Sequence, residues 1–301
     1  MHPARVKRAT SRYRLDQGFG QAFTLNKKSP QYKDLGICVP FQNPSGGIVD
    51  LINGLAFTKN GNPEWVNDAE RGWAMDFDGT DDYYKNDPTD FTGPLTIAVW
   101  VKANATAQDA LKSIFSSKDG GANSSFQIDV DGADPGVYRV NATSGGGSSL
   151  QFTYGTVTLE WVHLVMVTNG LLGSSGGNIW MYYNGVEVIN SGNFGLAEIQ
   201  AYKIGTNRAS SSNINARIAD FRGYFNRIIS ANEVYEMYKN PWDLFKVREP
   251  RVWVAVTAVG TPAISELDDL AIGESIGADL TIGVGIDMDG AGYQGTGVRV
   301  R

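Results

Sequence analysis

Three aspartates stand close together beside a glycine that allows a tight turn. Asp78 precedes Gly79, and Asp81 and Asp82 follow shortly after. Calcium in proteins is bound by about six to eight oxygens from carboxylates and carbonyls, so this stretch has the chemistry of a calcium site. An alternative stays open, in which Asp78-Gly79 forms a tight turn that Asp81 caps through a hydrogen bond to the backbone. Calcium is therefore the candidate cofactor, and no other cofactor is indicated.

Paired carboxylates are the signature of glycoside hydrolysis, because one acts as the acid and the other as the nucleophile or base. Asp129 and Asp131 alternate within a strand pattern and therefore share one face. A glycine follows at once and no glutamate accompanies them, which favours a polar strand end that enters a turn. Glu233 and Glu236 stand in a helical pattern, where Glu233 serves as a capping residue. The sequence thus predicts no glycosidase active site.

Nucleophilic catalysis finds equally little support. The two histidines are His2, near the N terminus, and His163, which alternates with Trp161 and Val165 as in a strand. This alternation favours a half-buried histidine that is hydrogen-bonded to backbone. The glycines at 145–147 lack a following helix pattern and lysine, so they do not indicate a phosphate-binding loop. We therefore predict that the protein is not an enzyme.

Aromatic side chains could provide the platform on which a sugar ring stacks. Four rings in strand patterns are candidates: Tyr83, Tyr84, Trp180 and Tyr182. Alternation alone does not tell which of these rings faces solvent. For each ring the alternative is packing in the core, where most aromatic residues of strands lie.

Length and composition limit the class of protein. The chain has 301 residues, a net charge of −6 and 19% charged residues. This acidic balance argues against nucleic-acid binding, which normally needs a basic face. No run approaches the ~20 apolar residues that span a bilayer, which argues against membrane insertion. Cys38 is the single cysteine, so neither an internal disulfide nor a cysteine-ligated zinc site is expected.

Strand patterns fill the middle of the chain. Alternating segments rich in β-branched and aromatic residues are 95–102, 125–130, 137–140, 150–154, 161–168 and 179–183. Asn184-Gly185 lies between apolar flanks and predicts a two-residue hairpin turn. Glycine- and serine-rich loops, rather than helices, separate these strands. The pattern predicts an all-β fold, a two-sheet antiparallel sandwich.

One short helix is predicted after the last strands. Ser230-Ala-Asn-Glu233 has the spacing of a capping box, in which each side chain bonds the other residue's backbone N–H. Val234, Met237 and Tyr238 then form one apolar stripe. Pro241 predicts the end of the helix.

The two ends of the chain differ in composition from the middle. Residues 1–34 are basic, polar and irregular, and we interpret them as an extended N-terminal arm. Residues 246–301 are acidic and rich in glycine, and we interpret them as a C-terminal arm for intersubunit contacts; the alternative is a disordered tail. Residues 35–245 form the domain between the arms. No apolar run follows the basic residues of 1–14, so we expect no signal peptide.

Three ordered groups of segments resemble a known family. They are 75–84 (MDFDGTDDYY) with 95–101 (LTIAVWV), 161–167 (WVHLVMV) with 180–186 (WMYYNGV), and 203–206 (KIGT) with 218–226 (IADFRGYFN) and 230–238 (SANEVYEMY). Together they resemble a laminin-G-like jelly roll of the concanavalin A-like lectin/glucanase superfamily. In that fold the strand of Asp220 runs near the first strands. The resemblance therefore implies Asp78, Asp81 and Asp220 as candidate metal ligands.

A second resemblance concerns the segment that follows the domain. Residues 240–245 (NPWDLF) and 251–256 (RVWVAV) are similar to the segment after such domains in bacteriophage structural proteins. This similarity implies a non-enzymatic virion protein, assembled in the host cytoplasm, that displays a lectin-like domain as a capsid decoration or tail adsorption fibre. The implied partners are other virion proteins, further copies of the chain in a homo-oligomer, and cell-surface glycans bound weakly. The alternative is a free bacterial carbohydrate-binding module or an inactive glycosidase relative.

Overall fold

The computed structural model describes residues 23–247, with short gaps, and two later strands. The gaps are 45–46, 88–90, 109–110, 121–125, 133–135, 144–148, 170–176 and 195–197, and the later strands are 252–258 and 280–286. Contacts divide the chain into two units, of which the larger contains Leu25–Phe245 and the smaller contains Lys246–Arg301. Residues 25–34, which the sequence assigns to the N-terminal arm, thus belong to the larger unit. Residues 1–22 of that arm lie outside the described residues, as do those parts of 246–301 that surround the two strands.

The described residues form 21 strands, one α-helix and two 3₁₀ helices. In chain order the strands are β1 (Phe23–Leu25), β2 (Leu35–Val39), β3 (Thr58–Asn60), β4 (Glu64–Asp68), β5 (Gly72–Asp78), β6 (Tyr83–Asn86), β7 (Phe91–Thr92), β8 (Leu95–Ala103), β9 (Lys112–Ser116), β10 (Phe126–Asp131), β11 (Val137–Thr143), β12 (Ser149–Thr156), β13 (Val162–Thr168), β14 (Gly177–Tyr183), β15 (Val186–Phe194), β16 (Glu198–Ile199), β17 (Tyr202–Ile204), β18 (Asn215–Phe225), β19 (Phe245–Val247), β20 (Val252–Ala258) and β21 (Leu280–Ile286). Helix α1 is Ala231–Lys239, and the 3₁₀ helices are Pro30–Tyr32 and Pro241–Leu244.

The larger unit is a sandwich of two antiparallel sheets. One sheet has the strand order β12-β11-β10-β9-β17-β6-β3, and the other has the order β15-β14-β13-β8-β18-β5-β4, with β2 also paired to β18. Strands distant in sequence are neighbours in both sheets, as in a jelly roll. The predicted all-β, two-sheet antiparallel jelly roll with one short helix is confirmed. In the smaller unit β20 and β21 pair with each other.

The eight-stranded sheet is covered on both faces, which explains its apolar sequence. Every residue of β13 is buried. Leu164 and Met166 belong to the core between the sheets, whereas Val165 and Val167 belong to a second core on the outer face. Because successive side chains of a strand point to opposite faces, a strand between two cores must be apolar throughout.

Helix α1 covers part of that outer face. Glu233 N donates to Ser230 Oγ at 3.4 Å and Ser230 N donates to Glu233 Oε2 at 2.9 Å, so the predicted capping box is present. Val234 and Met237 are buried in the outer core. The helix ends at Lys239, shortly before Pro241, as predicted from the sequence. Pro241 begins the second 3₁₀ helix. Within the described ranges, no helix has the length and apolar character needed to cross a bilayer.

Candidate functional site

One end of the eight-stranded sheet gathers acidic, amide and aromatic side chains. Five adjacent strands, β5, β18, β8, β13 and β14, begin or end there, because Asp78 pairs with Asn215 and Val162 pairs with Val101. We call this end the rim. It comprises the turn 78–82, Asn104 and Asn215, the hairpin turn 184–185, and the helix residue that packs on that hairpin. Neighbouring strands lie ~4.8 Å apart, so about 19 Å separates the acidic turn from the hairpin along the rim.

The three aspartates of the predicted calcium site lie together at the rim. One carboxylate oxygen from each of Asp78, Asp81 and Asp82 lies within 4.8 Å of the others. Asp82 is buried, and its oxygens accept from Asn62 N at 2.6 Å and from Asp78 N at 3.0 Å. Burial raises the pKa of Asp82, and the negative charges of Asp78 and Asp81 add to the rise, while these two backbone bonds oppose it. Asp82 therefore fixes the shape of the turn.

The groups left to bind a cation are Asp78 and Asp81. Asp78 Oδ1 accepts from Thr80 N at 2.7 Å, so the Asx-type turn forms at Asp78 rather than at Asp81. The carbonyl of Gly79 accepts from Lys112 Nζ at 3.3 Å, and that of Thr80 accepts from Asn213. Calcium needs about six to eight oxygen ligands, and these two carbonyls and Asp78 Oδ1 already accept hydrogen bonds. The exposed carboxylates of Asp78 and Asp81 would supply some, but not all, of the oxygen ligands of a calcium ion. Calcium binding therefore stays a prediction.

Asp220, the third expected ligand, is not at the rim. It lies on β18 five residues beyond Asn215, which pairs with Asp78. Its carboxylate is buried and accepts from Arg222 Nε at 2.9 Å. The strand of Asp220 does run beside β5, but the residue lies too far along that strand to join the acidic turn. The expected ligand set is corrected accordingly: Asp220 is the ion-pair partner of Arg222.

Amide side chains hold the middle of the rim. Asn104 Nδ2 donates to Asp76 Oδ1 at 2.7 Å and to Asn215 Oδ1 at 2.9 Å. Gln108 accepts from Asn215 N and donates to Asn215 O, both at 3.2 Å. These bonds connect β5, β8 and β18. Amide and carboxylate groups in a fixed arrangement are what hydroxyl groups of a ligand can bond.

An exposed aromatic ring stands at the other end of the rim. Tyr235 on α1 is 46% exposed, and Val186 and Val188 beside the hairpin are 61% and 44% exposed. Asn184 and Gly185 have φ angles of 51° and 80°, as the predicted two-residue turn requires. A Cβ on Gly185 would lie 3.3 Å from Tyr235 Cδ2, so the turn packs directly on the helix.

The four aromatic residues singled out from the sequence do not supply this platform. Tyr84 and Tyr182 are buried, and Tyr83 and Trp180 are partly buried. Lys203 Nζ lies 5.5 Å from the centre of the Tyr83 ring, and Trp180 packs against the outer core. Tyr235 was missed, although its position one residue after Val234 places it off the apolar stripe and toward solvent. The period of the helix was the signal that would have found it.

Asp129 and Asp131 share one face, as predicted, and they also share one cation. Arg139 Nη2 lies 3.8 Å from Asp129 Oδ2, and Arg139 Nη1 lies 3.3 Å from Asp131 Oδ2. Ser113 Oγ donates to Asp129 Oδ1 at 2.6 Å. Burial raises the pKa of Asp129 to about 7, against the lowering effect of Ser113 and Arg139. A carboxyl with this pKa could act as an acid, but Asp129 has no exposed surface.

His163 is more deeply buried than the sequence predicted. Its ring stacks on Trp100 with 4.7 Å between centres, and Arg71 lies on Trp100 with its guanidinium carbon 3.1 Å from the ring centre. Burial lowers the pKa of His163 well below its usual value, and the charges of Arg222 and Arg71 lower it further. Neutral, stacked and enclosed, this imidazole cannot reach a substrate.

Comparison with known proteins identifies the family. Residues 78–235 match the Laminin_G_3 family model, which is described as "Concanavalin A-like lectin/glucanases superfamily". No curated protein sequence matches the chain. The similar solved structures include domain 4 of AbnA, a GH43 extracellular arabinanase from Geobacillus stearothermophilus, solved in complex with arabinotriose. It has a TM-score of 0.52 and 17% identity, and the match covers 68% of this chain and 98% of that domain.

Toxin binding domains share the fold as well. The receptor binding domain of botulinum neurotoxin type G has a TM-score of 0.53 and 13% identity, with 74% of this chain and 57% of that chain covered. The binding domain of Paraclostridial Mosquitocidal Protein 1 has a TM-score of 0.55 and 11% identity, with 75% and 58% covered. This chain thus spans just over half the length of the toxin domains. At such identities the likeness shows the fold alone. Because the family model spans more than half of its residues, the protein belongs to the laminin-G-like family of the concanavalin A-like lectin/glucanase superfamily.

Proposed function

We propose that this protein is a non-catalytic, lectin-like protein that binds glycans at the rim. The observation that carries the proposal is Tyr235, an exposed ring at an end of the sandwich that also holds fixed amides and carboxylates. An aromatic face packs against the C–H face of a sugar, and the polar groups bond its hydroxyls. The similar arabinanase domain was solved with arabinotriose, which supports an oligosaccharide as the ligand class.

The absence of catalysis is part of the proposal. Glycoside hydrolysis needs two carboxyl groups that both reach the sugar. Asp129 and Asp131 are the pair closest to this pattern, and Arg139 binds both of them. His163 is buried, and its ring stacks on Trp100. These contacts support binding without bond cleavage.

The proposed setting is a bacteriophage particle assembled in the host cytoplasm. Its support is the similarity of residues 240–245 and 251–256 to the segment that follows such domains in phage structural proteins. The protein is then a capsid decoration or tail fibre subunit, with other virion proteins and further copies of itself as partners. Many copies on one particle turn weak single sites into strong adhesion. The alternative is a free bacterial carbohydrate-binding module or an inactive glycosidase relative.

A binding experiment tests the glycan proposal. The full chain is displayed in many copies on beads and probed with a glycan array and with immobilised arabinotriose. We expect retention that Tyr235→Ala reduces by about five- to 150-fold, since a stacked ring contributes about 1–3 kcal/mol, taking the range measured for bases as the guide. Ile228→Ala is the matched control, because Ile228 is 47% exposed and precedes α1, away from the rim. Absence of binding to every glycan, or equal loss in both variants, would refute the proposal.

Two further measurements test the remaining parts. Release of reducing ends from polysaccharides by the purified protein, abolished by Asp129→Asn, would overturn the non-catalytic assignment. Mass spectrometry of purified virions should find the protein as a stoichiometric component. Its recovery only from the particle-free fraction of infected cells would favour the alternative of a free carbohydrate-binding module.

A further inference from the structure

A cavity of about 210 Å³ lies under α1, at the end of β18 opposite to the rim. Tyr224 at the C-terminal end of β18, Ile229 and Met237 are nearly fully buried and form its apolar inner wall. Residues 29–31, which include the first 3₁₀ helix, close one side. None of the residues proposed to bind glycans lines this cavity. It is therefore a separate feature of the molecule.

Among the described residues, three of the four charged side chains that line the cavity are acidic. Glu233, Glu236 and Asp243 line it together with one cation, Arg227. Arg227 is paired with Glu233, which also caps the helix. Among the described residues, Glu236 bonds only the neutral amide of Asn240, at 2.8 Å, and Asp243 has no cationic partner. Within the part of the chain that the structure describes, two carboxylates beside an apolar cavity thus have no counter-charge.

This combination fits the side chain of lysine or arginine. Such a side chain has an aliphatic stem that covers apolar surface and a charged head that remains at the edge. The stem would contact Ile229 and Met237, and the head would meet Glu236 and Asp243. A sialylated or phosphorylated ligand is disfavoured, since its negative charge would face these carboxylates.

The chain itself contains a fitting segment close by. Five basic residues lie within residues 5–14, and no acidic residue lies among them. The chain is fixed beside the cavity at Asn26, which donates from N to Leu244 O at 2.7 Å and from Nδ2 to Asp243 O at 3.1 Å. The chain before Asn26 forms β1, and the nine residues from Arg14 to Phe23, where β1 begins, can extend ~30 Å. Such a tether gives an effective concentration in the millimolar range.

We propose that the basic N-terminal segment, residues 5–14, binds in the cavity under α1 of the same chain. Its lysine and arginine side chains supply the positive charge that pairs with the carboxylates of Glu236 and Asp243. The contact anchors the N-terminal segment to the domain at the end opposite to the rim. The proposal does not depend on glycan binding, and the two can fail separately.

A competition experiment on the full chain tests this contact. In one variant all five basic residues are replaced: Arg5→Gln, Lys7→Gln, Arg8→Gln, Arg12→Gln and Arg14→Gln. A fluorescein-labelled peptide of residues 1–16 is then titrated with this variant and with the unaltered chain, and its anisotropy is measured at low salt. We expect the variant to bind the peptide at least about tenfold more tightly, because the unaltered chain's own segment competes at millimolar effective concentration.

Substitutions at the cavity identify the docking place. In the variant chain, Asp243→Asn with Glu236→Gln should reduce peptide binding at least about tenfold, and Asn232→Asp, which adds a carboxylate to the lining, should strengthen it. Glu160→Gln is the matched control, since it neutralises an exposed acid outside the cavity. Melting temperatures confirm that each chain is folded. Equal binding by the unaltered chain and the variant would overturn docking within one chain, and no binding, or no response to the cavity substitutions, would overturn the proposal.

Discussion

Asp220 and Arg222 stand two residues apart on β18 and form an ion pair in which both side chains are only 3% exposed. The period of two puts them on the same face of the strand. Arg222 also donates to Gln31 Oε1 and to the carbonyl of Pro241, both at 2.5 Å. One guanidinium thereby joins the sheet to both 3₁₀ helices. The pair secures the covering of the outer face.

Removing the carboxylate from this pair should be strongly destabilising. Asp220→Asn leaves the Arg222 charge buried without its partner, which typically costs about 3–5 kcal/mol. Urea denaturation of the two proteins measures the difference. Asp76→Asn is the control, because the ion pair between Asp76 and Arg217 is partly exposed and should contribute only about 0–1 kcal/mol. Equal losses in the two variants would show that Asp220 has no special role.

The cap of α1 gives a second stability prediction. Ser230→Ala removes the acceptor for Glu233 N and should cost about 0.5–2 kcal/mol, seen as a lower melting temperature. Asn232→Ala is the matched control in the same turn, since Asn232 is exposed and its side chain makes no hydrogen bond within the described part of the chain. A melting temperature unchanged by Ser230→Ala would mean that this cap does not stabilise the domain.

The elements of the fold follow closely from local sequence patterns. The capping box at Ser230, the hairpin at Asn184-Gly185 and the apolar run of β13 each depend on neighbours in the chain, so each was predictable. The exposure of aromatic rings was less predictable, because both faces of the eight-stranded sheet are covered. Trp180 and Tyr182 point to the outer face, yet α1 and its flanking segments cover that face.

The candidate site depended on features that local patterns do not contain. The distance of Asp220 from Asp78 is set by the register of β18 against β5, which is fixed by Asn215 opposite Asp78. A bulge between Ile218 and Phe221 further alters the path of β18, and Asp220 there has a φ of 90°. Proximity of two strands is a property of the fold family, whereas the register of individual residues is a property of this chain.

Asp129 should make stability depend on pH. Its pKa is about 7 in the fold, against ~3.9 in an unfolded chain. Folding favours the protonated carboxyl. Its stabilising contribution is therefore complete below about pH 3.9 and is lost as the pH rises through about 7. Asp129→Asn mimics the protonated form. The free energy of unfolding of Asp129→Asn minus that of the unaltered chain should therefore rise by about 2 kcal/mol between about pH 5 and pH 7. One titrating group changes this difference by at most ~1.4 kcal/mol for each unit of pH.

Denaturation by urea at several pH values measures this difference. Asp131→Asn serves as the control, because Asp131 binds the same Arg139 but its carboxylate is 48% exposed. Comparing variants with the unaltered chain cancels the contributions of other titrating groups, such as His163. A pH-independent difference for Asp129→Asn would contradict a raised pKa in the fold.

Calcium binding at the acidic turn can be tested through stability. A ligand that binds only the folded chain stabilises it by RT ln(1 + [L]/Kd), which is about 1.4 kcal/mol at tenfold excess over Kd. We expect calcium to raise the melting temperature only at about millimolar concentration, because the carbonyls of Gly79 and Thr80 are already bonded and leave an incomplete shell. Asp78→Asn with Asp81→Asn should abolish the rise. Asp220→Asn should lower the melting temperature at every calcium concentration and leave the calcium-dependent rise intact, because Asp220 lies apart from the turn. No effect of calcium, or an equal effect in the Asp78/Asp81 double variant, would refute the site and leave the turn with the structural role that Asp82 already gives it.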